Sequence, residues 1–350
     1  MTRLELRRPD DWHLHLRDGE ALAAVLPHTA QRFARAIVMP NLTPPVTTTA
    51  AALAYRERIR AALPRGLAFT PLMTLYLTDS MPASEIDAAC DSGAVVGCKL
   101  YPAGATTNSE SGVTDIRRID AVLERMADRD LPLLVHGEVT AADVDVFDRE
   151  QRFIDDVLLP LRLRLPQLRI VFEHATTAAA VDFVRSAESR VAATLTPQHL
   201  ALNRNALFAG GLRPHHYCLP VLKRERDRRA LLEAAISGDE RFFLGTDSAP
   251  HARAAKEAAC GCAGIYSAHA AIELYAGIFE EAGALSRLEA FASLNGPRFY
   301  GLPPNEERIT LVRQPWRVPP HYPFRTGETL VPWRAGETIA WRLEERPTNA

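Results

Sequence analysis

An α/β fold, specifically a closed (β/α)₈ barrel, is what this 350-residue sequence predicts, and three observations predict it. Short apolar, β-branched runs recur at regular intervals, each followed by a stretch of helical apolar spacing, which is the alternation of a parallel sheet. Eight such units cover roughly 240 residues, close to the ~250 expected for a (β/α)₈ barrel. Polar residues able to hold a metal fall at the C-terminal ends of several runs, where the active sites of barrels lie. An open, doubly wound sheet competes, but no Gly-x-Gly-x-x-Gly follows the first strand, so a dinucleotide site has no support.

In chain order, the first strand covers residues 11–16 and a helix 21–32. The second covers 34–39, ends in Pro40-Asn41 and precedes a helix at 49–63. The third lies within 67–76, before a helix at 83–92. The fourth, 95–100, carries Lys99; a loop at 102–112 leads to a helix at 115–129. The fifth, 132–135, runs into His136 and a long helical stretch, 142–165, broken at Pro160. The sixth, 169–172, runs into Glu173-His174, with a helix at 177–187. The seventh, 190–195, is followed by an irregular stretch, 197–220, and a helix at 224–237. The eighth, 241–245, runs into Thr246-Asp247, and the last long helix covers 267–282. Past Leu302 the chain turns rich in Pro and Trp, with β-like pieces at 308–312 and 338–343. This divides the chain into a barrel, 1–302, and a C-terminal extension, 303–350, packed on the barrel and not an independent domain.

Composition narrows the function. A net charge of −2 with interspersed signs makes no electrostatic case for nucleic acid or an anionic membrane, and points to small-molecule chemistry. No apolar run approaches the ~18 residues of a membrane span, and the N-terminus has no apolar signal-like region. Five scattered cysteines are the opposite of a disulfide scaffold and suit reduced thiols in the cytoplasm.

The chain centres on Trp12-His13-Leu14-His15-Leu16-Arg17. In an extended segment His13 and His15 share one face while Leu14 and Leu16 take the apolar one. A helix would set the imidazoles about 200° apart, which is poor for chelation. A lone His-x-His decides nothing, and His136 could cap a strand, His174 satisfy a core hydrogen bond, and Asp247 start a helix. The joint pattern decides: His13, His15, Lys99, His136, His174 and Asp247 come from five strands and converge on one barrel mouth. Imidazoles with a carboxylate suit Zn²⁺. Cys260-Gly-Cys262 is a poor zinc motif, with one intervening residue and no second pair, and reads as a loop near the substrate. His199, His215 and His216 read as hydrogen-bonding or surface residues, and His28, His269 and His321 as structural.

Residues 11–17, Met39-Pro40-Asn41-Leu42, Lys99-Leu100-Tyr101-Pro102, Ala105-Thr106-Thr107-Asn108-Ser109, Val135-His136-Gly137-Glu138, Phe172-Glu173-His174, His216-Tyr217-Cys218-Leu219-Pro220, residues 245–251 and Cys260-Gly261-Cys262-Ala263-Gly264 together resemble the dihydroorotase family of the amidohydrolase superfamily. The match is to its shorter bacterial type, whose members act as homodimers in pyrimidine biosynthesis. The resemblance implies a TIM barrel of the metal-dependent hydrolase type with two zinc ions per subunit. One would be held by His13, His15 and Asp247, the other by His136 and His174, with Lys99 bridging them as an N6-carboxylated lysine. It further implies that Asp247 moves the proton and that Arg17, Asn41 and His251 hold a substrate carboxylate. Leu219 and Ala263 would offer backbone groups to the ring amide. Thr106 and Thr107 would sit on a mobile loop that closes over the ligand. The implied reaction interconverts dihydroorotate and N-carbamoyl-L-aspartate. A hydantoinase-like cyclic amidase and a non-catalytic scaffold barrel are the rival readings.

Overall fold

The structure is a computed structural model that describes residues 2–187 and 190–344. The chain opens with β1 (Arg3–Arg7), a strand the sequence reading did not foresee. There follow eight strands of one parallel sheet: β2 (Asp10–Leu14), β3 (Arg35–Val38), β4 (Thr70–Tyr76), β5 (Val95–Leu100), β6 (Leu133–Val135), β7 (Ile170–Phe172), β8 (Val191–Leu195) and β9 (Phe242–Leu244). They neighbour one another in sequence order. The ends meet through a parallel bridge from Leu14 to Ser248, and the His15 amide donates to the Ser248 carbonyl at 3.0 Å. This is the expected (β/α)₈ barrel.

Two layers of apolar side chains hold it. An inner cluster of Trp12, Ile37, Met39, Leu134, Val171, Ala192 and Phe243 fills the barrel, and Phe299, Tyr300 and Leu302 pack against it. Trp12 stacks on Tyr300 with ring centroids 4.5 Å apart. The larger cluster lies between strands and helices and includes Leu14, Leu16, Cys98, Leu100, Val135 and Phe172.

Most helices fall where apolar spacing puts them, including Gly19–Arg32, Thr49–Ala62, Ala178–Ser186 and Glu225–Ile236. The stretch expected at 142–165 differs in two ways. Helix begins only at Arg149, because Asp145 accepts from the Phe147 amide and holds the preceding residues in turns. Pro160 does not break it: a π turn at Ile154–Leu158 leaves the proline in the first turn of Leu159–Arg164, where no N–H is required. The irregular stretch at 197–220 contains a short helix, Pro197–Ala201.

The strand β10 (Arg308–Val312) pairs antiparallel with β1, Leu4 opposite Leu311 and Leu6 opposite Ile309. Both ends of the chain therefore form one small sheet, and Ile309, Leu311, Phe324, Leu330 and Trp341 join the larger core cluster. Residues 345–350 of the expected extension lie outside the described residues. No helix among the described residues is long and apolar enough to cross a membrane.

The barrel floor depends on a close approach at Gly296, where any Cβ would collide with the Trp12 indole. Gly296→Ala should cost about 1–3 kcal/mol by overpacking. Gly277, mid-helix with open space at its Cβ position, should gain about 0.5–1 kcal/mol as Gly277→Ala. Urea unfolding of the two variants should show midpoints moving in opposite directions.

Candidate active site

His13, His15 and Lys99, three of the residues expected as ligands, reach the barrel mouth because two strands carry an extra residue. Along β2 and β3, Asp11 pairs with Ala36 but Leu14 with Val38, so three residues advance on β2 against two on β3. Trp12 belongs to the inner layer, and strict alternation from it would turn Leu14 inward. Instead Leu14 packs outward, and His13 and His15 take the inner face. In β5 the register passes from Met73 opposite Val95 to Thr74 opposite Gly97. Val96 faces the inner layer, whereas Cys98 faces the helices, and the change of phase brings Lys99 inward. Such bulges re-aim side chains.

His136 follows β6 directly, His174 lies two residues past β7, and Asp247 lies three residues past β9. Arg17, His174 and Asp247 have φ of 62°, 41° and 45°, a left-handed conformation uncommon outside glycine. The Asp247 turn is held from below by Asp11, which accepts from the Thr246 amide at 2.9 Å, the Thr246 hydroxyl at 2.6 Å and the His13 amide at 3.2 Å. The Asp247 amide donates to the His13 carbonyl at 2.8 Å.

His15, His13, His174 and His136 form a row of imidazoles, with successive centroids 5.5, 4.9 and 4.9 Å apart. Burial pushes all four below the ordinary histidine value, so they are neutral and able to ligate. Three have a partner that frees the other nitrogen. His13 Nδ1 donates to Glu173 at 2.9 Å, His15 Nδ1 to Asn41 Oδ1 at 2.7 Å, and His136 Nε2 to Glu138 at 3.1 Å. The freed Nε2 atoms of His13 and His15 lie 3.5 and 3.1 Å from one Asp247 oxygen. Burial would raise the Asp247 carboxyl, but the nearness of the His15 and His13 imidazoles outweighs it and holds the group below its usual value. His13, His15 and Asp247 present ligand atoms within 4.8 Å of one another, a ready metal site.

Lys99 is wholly buried, and its ammonium has no hydrogen-bond acceptor among the described residues; the Tyr101 ring centroid lies 5.1 Å away. Burial pulls its pKa to about 8 despite Glu173 and Asp247 nearby. A buried lysine without an acceptor, beside four neutral imidazoles and two carboxylates, fits conversion to an anionic ligand better than service as a cation. His174 Nδ1 is likewise buried without a partner.

One cavity is lined by His13, His15, His136, His174 and Asp247 together with Arg17, Asn41, Thr106, Thr107, Leu219 and Ala263. The two remaining expected residues, Lys99 and His251, are not among its lining; Arg17 Nη2 donates to His251 Nε2 at 3.0 Å. Arg17 Nε donates to the Pro250 carbonyl at 3.2 Å, and the Tyr55 hydroxyl donates to the Arg17 carbonyl at 2.5 Å. Thr106 and Thr107 of the loop 102–112 line the cavity, and the loop is tied to Asn41. Asn41 Nδ2 donates to the Thr107 carbonyl and Asn108 Nδ2 to the Asn41 carbonyl, each at 3.1 Å. His199 proves to be buried and bonded to Thr196 and the Pro220 carbonyl.

Sequence reasoning missed the supporting residues Asp11, Glu138, Glu173, Thr194 and Tyr101. Glu173 adjoins His174 in the chain and Glu138 lies two residues past His136, and a polar residue so close to the end of an apolar strand is the signal that could have found them. Thr194, mid-strand in β8, offers no such signal, yet its hydroxyl accepts from the His174 amide at 2.7 Å and donates to Glu173 at 2.5 Å.

Residues 11–311 match the model of the amidohydrolase family. A dihydroorotase of an Azoarcus species is 67% identical over 343 residues, covering 98% of this chain and all of that protein. Among solved structures, dihydroorotase from Campylobacter jejuni superposes with a TM-score of 0.90 at 36% identity, covering 99% of this chain and 98% of that one. Dihydroorotase from Saccharomyces cerevisiae, solved with 5-fluoroorotic acid, also gives 0.90, at 33% identity over 99% and 100% of the two chains.

Thr194→Val keeps the shape but leaves the His174 amide without its acceptor and removes one of the two donors to Glu173. Leaving a buried group unpaired costs about 1–3 kcal/mol, so denaturant unfolding should show a loss in that range. An unchanged midpoint would show that water replaces the hydroxyl.

Proposed function

The chain belongs to the dihydroorotases of the amidohydrolase family, hydrolases of cyclic amide bonds, and we propose that it is a zinc enzyme interconverting (S)-dihydroorotate and N-carbamoyl-L-aspartate in UMP synthesis. The observation that carries this reading is the single cavity in which a ligand set and a carboxylate-binding set meet. His13, His15 and Asp247 would hold one ion and His136 and His174 the other, with Lys99, carboxylated on its amine, bridging the two. Bound zinc supplies Lewis acidity and water of lowered pKa, about 7.

The rest is the work of side chains and backbone. In hydrolysis, water oxygen bonds the ring carbonyl carbon, the C–N bond breaks, and the nitrogen gains a proton. Asp247 accepts the proton of the attacking water and returns it to that nitrogen. Arg17 offers a planar fork to the substrate carboxylate, with Asn41 and His251 beside it. The backbones of Leu219 and Ala263 orient the ring amide, and Thr106 and Thr107 cover the bound ring and exclude water. Ring opening makes a new carboxylate and releases a proton, so ring closure gains as pH falls.

The carboxylate pocket favours dihydroorotate over a hydantoin or dihydropyrimidine ring, and the complete ligand set favours an enzyme over a scaffold. The same reading makes the protein a cytoplasmic homodimer, on its resemblance to the shorter bacterial type. It also treats 303–350 as an extension of the 1–302 barrel, supported by the shared core residues Leu311 and Trp341.

A dihydroorotate hydrolysis assay tests the reading, and no turnover by zinc-replete protein would refute it. Arg17→Met should raise KM for dihydroorotate about 10–100-fold, from loss of a charged hydrogen-bonding group, and change turnover of dihydrouracil far less. Equal losses on both rings would remove Arg17 from carboxylate binding. Asp247→Asn should lower kcat by about 10²–10⁴-fold, and an unchanged kcat would reassign the proton transfer.

A further inference from the structure

Lys256 ends the short helix Arg253–Lys256 and is buried, with 5% of its surface exposed. Its ammonium makes no ion pair with a carboxylate among the described residues. Instead it donates to three backbone carbonyls: Tyr217 at 3.0 Å, Cys262 at 2.9 Å and Gly264 at 2.5 Å. Those are all three of its donors. Tyr217 lies two residues before Leu219, and Cys262 and Gly264 flank Ala263, so one cation joins the two segments whose Leu219 and Ala263 line the cavity. The other backbone link between them is the Gly264 amide, which donates to the same Tyr217 carbonyl at 3.0 Å.

Peptide planarity makes this contact directional. The C=O of Cys262 and the N–H of Ala263 belong to one trans unit and point in opposite directions. A carbonyl fastened to the ammonium therefore turns the Ala263 N–H away from Lys256. A carbonyl bonded to a cation also polarises its own amide and strengthens that N–H as a donor. We propose that Lys256 is a positioning residue: it aims and strengthens the Ala263 N–H, a backbone group that recognises the ring amide, without touching the substrate. This rests on the dihydroorotate reading above.

Wild-type enzyme and the Lys256→Met and Lys256→Arg variants, each zinc-replete, are compared on dihydroorotate. Absence of turnover by the wild type refutes the reading itself and says so before any variant is measured. With wild-type turnover in hand, Lys256→Met should raise KM about tenfold while kcat stays within about threefold and zinc content is unchanged. Lys256→Arg, which keeps a charged donor, should recover most of the KM. An unchanged KM in Lys256→Met overturns the proposal. So does a fall in kcat alone, or a loss of activity that only tracks the folded fraction. If Lys256→Met does not fold, Lys256→Gln, which keeps two N–H donors, is judged on the same KM and kcat criteria.

Discussion

The site rests on two extra residues, one in β2 and one in β5, that shift the phase of each strand just before its ligand. A parallel barrel strand alternates strictly between its interior and its helices, so a one-residue change of phase exchanges the two sets of side chains. Without the extra residue in β2, His13 and His15 would point into the helix layer and Leu14 into the mouth. Without the one in β5, Lys99 would meet the helices. The apolar floor around Trp12 and the polar mouth above it can coexist in one short strand only because the phase changes between them.

That mouth is a stability liability. Asp11, Glu138, Glu173 and four imidazoles are buried within it, and a buried polar group costs free energy unless it is bonded. Most are bonded: Asp11 by Thr246 and His13, Glu173 by Thr194 and His13, His15 by Asn41. The exceptions include Lys99 Nζ, His174 Nδ1 and one Glu173 oxygen, all within the ligand constellation. A ligand that binds only the folded state would stabilise the protein by mass action, so groups left unpaired at the centre of the site need not weaken the loaded enzyme.

Much of this was legible in the sequence. Short apolar, β-branched runs, each followed by helical spacing, marked all eight barrel strands, because each βα unit is a local pattern. Polar residues at the ends of apolar runs marked the side chains that gather at the mouth, because a barrel brings those ends together. What escaped notice depends on contacts distant in the chain. β1 has a role only beside β10, about 300 residues away. The phase shifts in β2 and β5 appear only against their neighbours' register, and alternation read from β2 alone gave His13 and His15 the right face without showing that Trp12 breaks the pattern. The helix at 149–164 is shorter than apolar spacing predicts because Asp145 competes for backbone donors, and it runs on through Pro160 because the preceding π turn sets the proline in a first turn. Thr194 and Lys256 act on backbone groups of other segments, which no local pattern reports.

The central claim is that these side chains form one binuclear centre with Lys99 as its bridge. Diffraction from crystals of the zinc-loaded protein, with anomalous data at the zinc edge, tests it directly. The account predicts two anomalous peaks, one beside His13, His15 and Asp247 and one beside His136 and His174, with continuous density from Lys99 Nζ reaching between them. A single peak in active protein, or an unmodified Lys99 amine remote from the metal, would contradict it.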